Sequence, residues 1–384
     1  MQRYDVIVVG GGPSGATAAR HCSLKSLATL LLEKKKLPRY KPCAGGVTAA
    51  AYKELGFELP PDVVERECSG VKVQVKDFYK NVTADRAVFY TVNRSRFDEF
   101  LVGEAAKAGV IAHDTEEVVG LKRERTGVIV RTDKAKYLAD LVVGADGYFS
   151  TVRKELHRKF ARDEVMFCVL CEVQLDEEEI DRRYGDLLLV QYGFIDKGYA
   201  WIFPKRDCVS AGVGGVFYGS KQLPAKLREF LRLNSLEDSV EIRGGFVPVT
   251  KFRYPAYDER VMLTGDAAGF VDSFTGEGIR SAILSGKIAA ETASFCHEQG
   301  TFSSQAVSIY QTRCEKLFFE NLRYASKITE LFLRFPDFLM DTVVRNSNIM
   351  DGYLKTMTGE MDYKTFSGWV KRRLPGLLLK RIFS

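Results

Sequence analysis

No apolar run in this chain approaches the roughly 18 to 20 residues that span a bilayer, so no membrane-crossing segment is expected. No leader is expected either: Arg3 is the only charged residue before Asp5 and a strand-like run, which does not read as a charged n-region followed by an apolar h-region. Folding in the cytoplasm is the expectation. Eight cysteines at irregular spacing are too few for a secreted disulfide framework, and reduced thiols suit the same compartment. Charge of one sign is lacking too. Lys plus Arg is 56 against 50 Asp plus Glu, a net charge of +6 without a dense basic stripe, so no nucleic-acid partner is expected. The four histidines (His21, His113, His157, His297) share no spacing, and no metal site is expected. Internal repeats and low-complexity linkers are absent.

What is present is the composition of a globular protein, 46% hydrophobic and 28% charged. At about 150 residues per domain, 384 residues suggest two to three domains. Asp5 to Gly10 is a continuous apolar run, as in a strand buried on both faces of a parallel sheet. A glycine-rich turn, an Ala-rich helix from Ser14 to Lys25 and a second apolar run from Leu27 to Leu32 complete a βαβ unit. Arg96 to Gly109 reads as another helix, followed by strands over Val128 to Arg131 and Leu138 to Ala145. From about 160 to 250 the chain is aromatic and β-branched between turns, the texture of a mostly antiparallel sheet. A strand at Val261 to Thr264 leads to a long helix from about Gly276 to Cys296, and the pattern stays helical from Ser304, interrupted at Pro336 and Pro375.

Three motifs carry chemistry. Gly10-Gly-Gly12-Pro-Ser14-Gly15 fits GxGxxG between a strand and a helix, where a pyrophosphate sits at the positive helix end. Glu33 ends the next strand, where a carboxylate accepts hydrogen bonds from both ribose hydroxyls; the plain alternative is an ordinary turn with a solvated Glu. The second motif is Gly144-Ala-Asp146-Gly147, with Ser150 and Arg153 after it. The third is Gly265-Asp266-Ala-Ala-Gly269 followed by Thr275-Gly-Glu-Gly278-Ile279, a spacing that suits a carboxylate on a ribityl or ribose hydroxyl with helix N–H groups facing the flavin ring. Each Asp is individually compatible with a common strand-to-turn position; the order and separation of all three decide.

Together these motifs resemble the FAD-dependent group that includes p-hydroxybenzoate hydroxylase. Within it, Lys41-Pro-Cys43-Ala44-Gly-Gly46 and Tyr199-Ala-Trp201-Ile-Phe203-Pro204 resemble segments of the geranylgeranyl reductase family, and Arg94-Ser-Arg96-Phe97-Asp98 is similar to a motif of the larger group. The resemblance spans about residues 1 to 300. Ala44 replaces a usual Gly, and Asp196 stands where the family often has Pro.

The resemblance implies an α/β fold: an FAD-binding Rossmann-like domain with a central parallel sheet (1–65, 94–155 and 255–303), an antiparallel-sheet substrate domain (66–93 and 156–254) and a helical C-terminal segment (304–384). It implies FAD as cofactor, with contacts from Gly10, Gly12, Ser14, Gly15, Glu33, Cys43, Ala44, Gly46, Arg94, Val118, Asp146, Gly265, Asp266, Gly278 and Ile279. Gly45 and Gly46 would permit close backbone approach to the flavin, Arg94 could bind phosphate oxygens, and Val118 would contribute backbone alone. Tyr199, Trp201 and Phe203 alternate along one strand and so face one side, as an isoprenoid pocket or as an aromatic core stripe. Cys43 and Tyr199 are the catalytic candidates; for Cys43 the alternative is a small buried hydrophobe.

Cys168 and Cys171 form a lone CxxC, but three residues apart on a strand they face opposite sides, which speaks against a redox pair. The implied reaction is reduction of the isolated C=C bonds of a geranylgeranyl chain carried on a diphosphate, a glycerophospholipid or another head group, with NAD(P)H or ferredoxin as external electron donor. An NAD(P)H- and O2-dependent aromatic hydroxylase and a non-catalytic prenyl-binding escort protein are the alternatives. Leu374 to Leu379, flanked by Lys371-Arg-Arg373 and Lys380-Arg381, suits either peripheral contact with anionic lipid headgroups or an ordinary solvated helix.

Overall fold

The computed structural model describes residues 1–216, 222–249, 251–335 and 346–373. The chain forms three sheets. The first has eight strands: β1 (Gln2–Val9), β2 (Thr29–Leu32), β8 (Ile111–His113), β9 (Val118–Glu124), β10 (Gly127–Thr132), β11 (Lys136–Gly144), β17 (Tyr257–Asp258) and β18 (Val261–Leu263). Its five central strands run parallel in the order β18-β11-β1-β2-β8. Strands β9, β10 and β17 add antiparallel edges, because the tight turns joining them reverse the chain without a crossover helix.

The second sheet has seven strands: β5 (Gly70–Val75), β6 (Phe78–Thr83), β12 (Val165–Gln174), β13 (Leu187–Tyr192), β14 (Gly198–Pro204), β15 (Cys208–Val216) and β16 (Arg243–Pro248), ordered β16-β12-β15-β14-β13-β5-β6. It is antiparallel except where β13 meets β5 in parallel. A third sheet pairs β3 (Gly46–Thr48), β7 (Phe89–Val92) and β4 (Val64–Cys68), so β4 lies across the boundary between residues 65 and 66.

The parallel strands are apolar on both faces because helices cover both faces. Helix α1 (Pro13–Ser23) is built of small residues, and its Ala16, Ala18, Ala19 and Cys22 are buried. It also packs beside α2 (Arg94–Lys107), whose start precedes the expected Arg96 because Asn93 caps it, accepting from Ser95 N–H. The long helix α4 (Ile279–Glu298) lies against α1 so closely that a Cβ on Gly286 would sit 2.5 Å from the Ser14 carbonyl oxygen. On the outer face of the second sheet, α3 (Leu223–Leu233) buries Leu227, Phe230 and Leu231 against Val169, Ala200, Ile202 and Val213.

The C-terminal segment is helical as expected: α5 (Glu320–Arg334), α6 (Ser347–Thr358) and α7 (Tyr363–Arg373). Ile349, Met350, Leu354, Met357, Tyr363 and Phe366 from α6 and α7 form a core with Val71, Val73, Val82 and Leu188 of the second sheet. Pro336, Pro375 and the apolar Leu374 to Leu379 lie outside the described residues. Among the described residues, no helix is long and apolar enough to cross a membrane.

The α1–α4 contact yields a test. Gly286→Ala places a methyl against backbone that has no rotamer to yield, so a loss of about 1 to 3 kcal/mol is expected in denaturant unfolding. Gly103→Ala on α2, whose Cβ meets nothing within 4 Å, should instead be neutral or stabilising by up to about 1 kcal/mol.

Candidate functional site

One cavity of about 1260 Å³ runs from the N-terminus of α1 to the inner face of the second sheet and the C-terminal helices. It exceeds the roughly 300–1,000 Å³ of an ordinary small-molecule pocket. At its polar end, Gly10, Gly12 and Ser14 line the wall. The α1 N-cap is Gly12, which has no side chain to satisfy the first-turn amides, and no acidic residue stands in that turn. Such an end leaves unpaired N–H groups for an anion. Gly15 does not reach the cavity. A Cβ there would lie 1.8 Å from the Gly10 carbonyl, so this glycine serves the β1–α1 packing. Gly265 is likewise behind the wall, its N–H donating to Ser285 Oγ (3.1 Å).

Glu33 does line the cavity, at the end of β2. Its Oε2 accepts from Gly11 N–H (2.9 Å) and its Oε1 from Lys35 N–H (3.0 Å). Arg39 lies 3.2 Å from the same carboxylate and 2.9 Å from Asp98 Oδ2, and Asp98 in turn receives Arg94 through two bonds of 2.9 and 3.0 Å. This buried chain of alternating charges, Glu33–Arg39–Asp98–Arg94, pins the loop that carries residues 39–46. Arg94 lines the cavity, but two of its donor nitrogens are taken by Asp98 and it also bonds the Cys43 sulfur, so it is far less free for phosphate than the sequence suggests. Arg39 and Asp98 had no assigned role; the i,i+4 spacing of Arg94 and Asp98 was the available signal for one of them.

Cys43, Ala44 and Gly46 sit on the cavity wall facing the sheet. Cys43 Sγ accepts weakly from Gly45 N–H at 3.4 Å. Gly46 is glycine for a protein contact: a Cβ would lie 2.8 Å from the Phe203 ring. Val118, Asp266, Gly278 and Ile279 also line the cavity. Asp146 lines it too, while capping the short helix after it by accepting from Ser150 Oγ (2.5 Å) and Thr151 N–H (2.6 Å); burial pushes its carboxyl up against these bonds.

The apolar end is built by strand register. Tyr199, Trp201 and Phe203 of β14 point to one side, with Tyr192, Val190 and Leu188 of β13 beside them and Cys168 and Leu170 of β12 across β15. Cys171 faces the opposite side, in the core under α3. Burial pushes the Cys168 thiol up to about 12, which leaves it unreactive. Between these rows β15 contributes Gly212, and a Cβ there would lie 2.2 Å from the Trp201 ring. Trp201 is therefore wedged flat into the sheet, 6% exposed. Phe274, Phe332, Tyr353 and Met357 close the far side, three of them from the C-terminal helices to which the sequence had given no part in the site.

The loop joining the two ends is 271–278. Asp272 Oδ1 accepts from Phe274 and Thr275 N–H, and its Oδ2 accepts from the Tyr363 hydroxyl of α7 at 2.7 Å. The Tyr199 hydroxyl donates to the Thr275 carbonyl (2.7 Å), and burial makes that phenol a weaker acid than usual. Glu277, inside the quoted third motif but given no role, also lines the cavity, and burial pushes its carboxyl up to about 7.

The match to known proteins agrees with this geometry. Residues 3–190 match the family described as FAD binding domain. The chain is 30% identical over 364 residues to digeranylgeranylglycerophospholipid reductase 2 of Methanosphaera stadtmanae, covering 89% of this chain and 91% of that one. Its fold is that of a geranylgeranyl bacteriochlorophyll reductase-like protein of Thermoplasma acidophilum (TM-score 0.83, 24% identity, 97% of this chain and 100% of that one). A flavin-dependent brominase shares the fold at a TM-score of 0.73 and 18% identity, over 97% of this chain and 99% of that one. FAD is the cofactor, and the uncapped α1 terminus, the carboxylates of Glu33 and Asp266 and the long cavity fit it. The chain belongs to the geranylgeranyl reductase family of FAD-dependent oxidoreductases.

Proposed function

We propose that this protein saturates isolated C=C bonds of geranylgeranyl chains carried on a glycerophospholipid. The observation that carries the reading is the single cavity with two chemically different ends, one lined by Gly12, Ser14 and Glu33, the other by Leu188, Val190, Trp201 and Met357. An isoprenoid chain has nothing to offer a polar wall, and a dinucleotide has little to offer an apolar one. The relatives named for digeranylgeranylglycerophospholipid support the phospholipid-linked substrate.

When bound, FAD supplies hydride in its reduced form, and an external donor, NAD(P)H or ferredoxin, restores the two electrons used per bond. The amides at Gly12 and Ser14 would take the pyrophosphate, with Gly10, whose own amide bonds the Leu32 carbonyl, shaping the turn and Gly15 and Gly265 packed behind the wall. Glu33 would take ribose hydroxyls, with Val118 beside it through backbone. Asp266, with Asp146 behind it, would serve the ribityl region, and Gly278 and Ile279 would present amides to the ring. Cys43, Ala44 and Gly46, with Arg94 behind them, would face the ring from the loop across the cavity. Tyr199, Trp201 and Phe203 would hold the alkene and exclude water.

Three outcomes test this. Reduced enzyme should be reoxidised without O2 by digeranylgeranylglycerophospholipid, and mass spectrometry should find two hydrogens gained per reduced bond. A product that gains oxygen instead, formed only with O2, would make the protein a hydroxylase. Glu33→Arg removes a charged acceptor and should weaken FAD by about 10- to 100-fold in Kd, an effect of about 1.5–3 kcal/mol, measured by fluorescence titration. Trp201→Ala, in the fraction that folds, should keep FAD and its visible spectrum yet lose lipid-driven reoxidation about 100-fold, because a slack wall lets the alkene leave reacting distance. A wild-type rate in folded Trp201→Ala would assign those rings to core packing alone.

A further inference from the structure

We infer that Glu277 is the general acid of this site, delivering a proton to the less substituted alkene carbon as hydride reaches the other. This rests on the reading that a geranylgeranyl alkene is the substrate. An isolated trisubstituted alkene has no carbonyl to accept charge, so the proton must come from a group that meets both the reductant and the chain. The loop 271–278 is the part of the wall that meets both ends of the cavity. Its Gly278, with Ile279 at the start of α4, borders the polar end, where a Cβ on Gly278 would lie 3.6 Å from Asp266 Oδ1. Its Thr275 carbonyl is held by Tyr199 and its Phe274 touches the rings of Tyr353 and Phe332 at the apolar end. Glu277 stands between the two.

Four other acids at or behind the wall are less suited. The Tyr199 proton is committed to Thr275, and burial pushes the Cys168 thiol and the Tyr40 phenol both up to about 12. Asp272 has its oxygens filled by three donors and lies behind the cavity wall. The Glu277 carboxyl accepts from backbone N–H groups at the start of α4, Arg280 N–H to Oε1 at 2.6 Å and Ile279 N–H beside it. Its carboxyl is half-buried and holds its proton to about pH 7, chiefly through burial and with help from the Asp272 carboxylate, while the Arg280 amide and charge and the Ile279 amide oppose it. Around Asp272 stand Tyr363 of α7, Tyr353 of α6 and Tyr192 and Tyr199 of the sheet. Asp266 and its partner Lys41, 3.9 Å apart, face the loop from the polar end. In the step, the Glu277 O–H bond breaks and a C–H bond forms on the alkene. When bound, reduced FAD would supply the hydride for the second C–H bond, and the carboxylate left on Glu277 would recover its proton from water.

The test compares wild type with Glu277→Gln, which keeps an acceptor for Arg280 N–H, and with Glu277→Asp. Anaerobic lipid-driven reoxidation should fall about 10²- to 10⁴-fold in Glu277→Gln with FAD content unchanged, and Glu277→Asp should recover part of it. The wild-type rate should decline above about pH 7, and the residual Glu277→Gln rate should lack that ionisation. Infrared difference spectra of wild type against Glu277→Gln, without substrate, should show a protonated carboxyl at pH 6 that is lost through about pH 7. The same proton is held more tightly folded than unfolded, so wild type should lose stability relative to Glu277→Gln as pH rises from about 4.5 to about 7. A Glu277→Gln rate within a few-fold of wild type, an unchanged pH break, or a carboxylate already ionised at pH 6 would each overturn the assignment while leaving the reductase reading intact. Failure of wild type itself to be reoxidised by the lipid would remove that reading and the assignment with it.

Discussion

Backbone meets backbone at the start of α1, and the site is assembled around that contact. With no Cβ on Gly15, the helix can begin directly against the Gly10 carbonyl, and with none on Gly286, α4 can close on Ser14. The first approach aims the open N-terminus of α1 into the cavity; the second carries the far end of the sequence to the same place. Thr264 Oγ1 then bonds Ser14 Oγ at 3.2 Å across 250 residues of chain. A larger residue at either glycine would separate the first motif from the third, and a dinucleotide held by both would lose one of its hands.

The second sheet solves a different problem, that of presenting a large apolar surface without closing it. A strand face this apolar normally buries itself against a helix, as the outer face of the same sheet does under α3. On the inner face, aromatic side chains stand along β14 while Gly212 beneath Trp201 removes the bulk that would lift the ring into the space. The result is a wall rather than a packed core. Positioning against such a wall, with water excluded, is the main contribution a protein can make to reducing an unactivated alkene.

The C-terminal helices complete that wall and also hold the loop that divides it. Tyr363 of α7 supplies the third hydrogen bond to Asp272, so a residue from the end of the chain fixes the backbone on which Gly276, Glu277 and Gly278 are placed. Packing of α6 and α7 on Val71, Val73 and Leu188 is thereby coupled to the geometry at the polar end. Glu277 on this loop loses water on folding and stands beside the Asp272 carboxylate, which is why its acidity differs from that of an ordinary glutamate.

The sequence by itself determined the elements governed by local rules. The βαβ unit follows from apolar period and glycine turn chemistry, the common side of Tyr199, Trp201 and Phe203 from the two-residue repeat of a strand, and the opposed faces of Cys168 and Cys171 from the same repeat. The cofactor was legible because three motifs occur in fixed order, and the family because the segments around Cys43 and Tyr199 accompany them. Only the tertiary structure decided what depends on partners far along the chain: the parallel pairing of β13 with β5, the Arg39 bridge between Glu33 and Asp98, the part played by Phe332, Tyr353 and Met357 in the cavity, and the retreat of Gly15 and Gly265 behind its wall. Glu277 was visible as a letter in a motif, but its acidity is a matter of desolvation and of the charge on Asp272. Desolvation belongs to the packed molecule, since a carboxyl loses its water only when residues from other elements arrive to displace it.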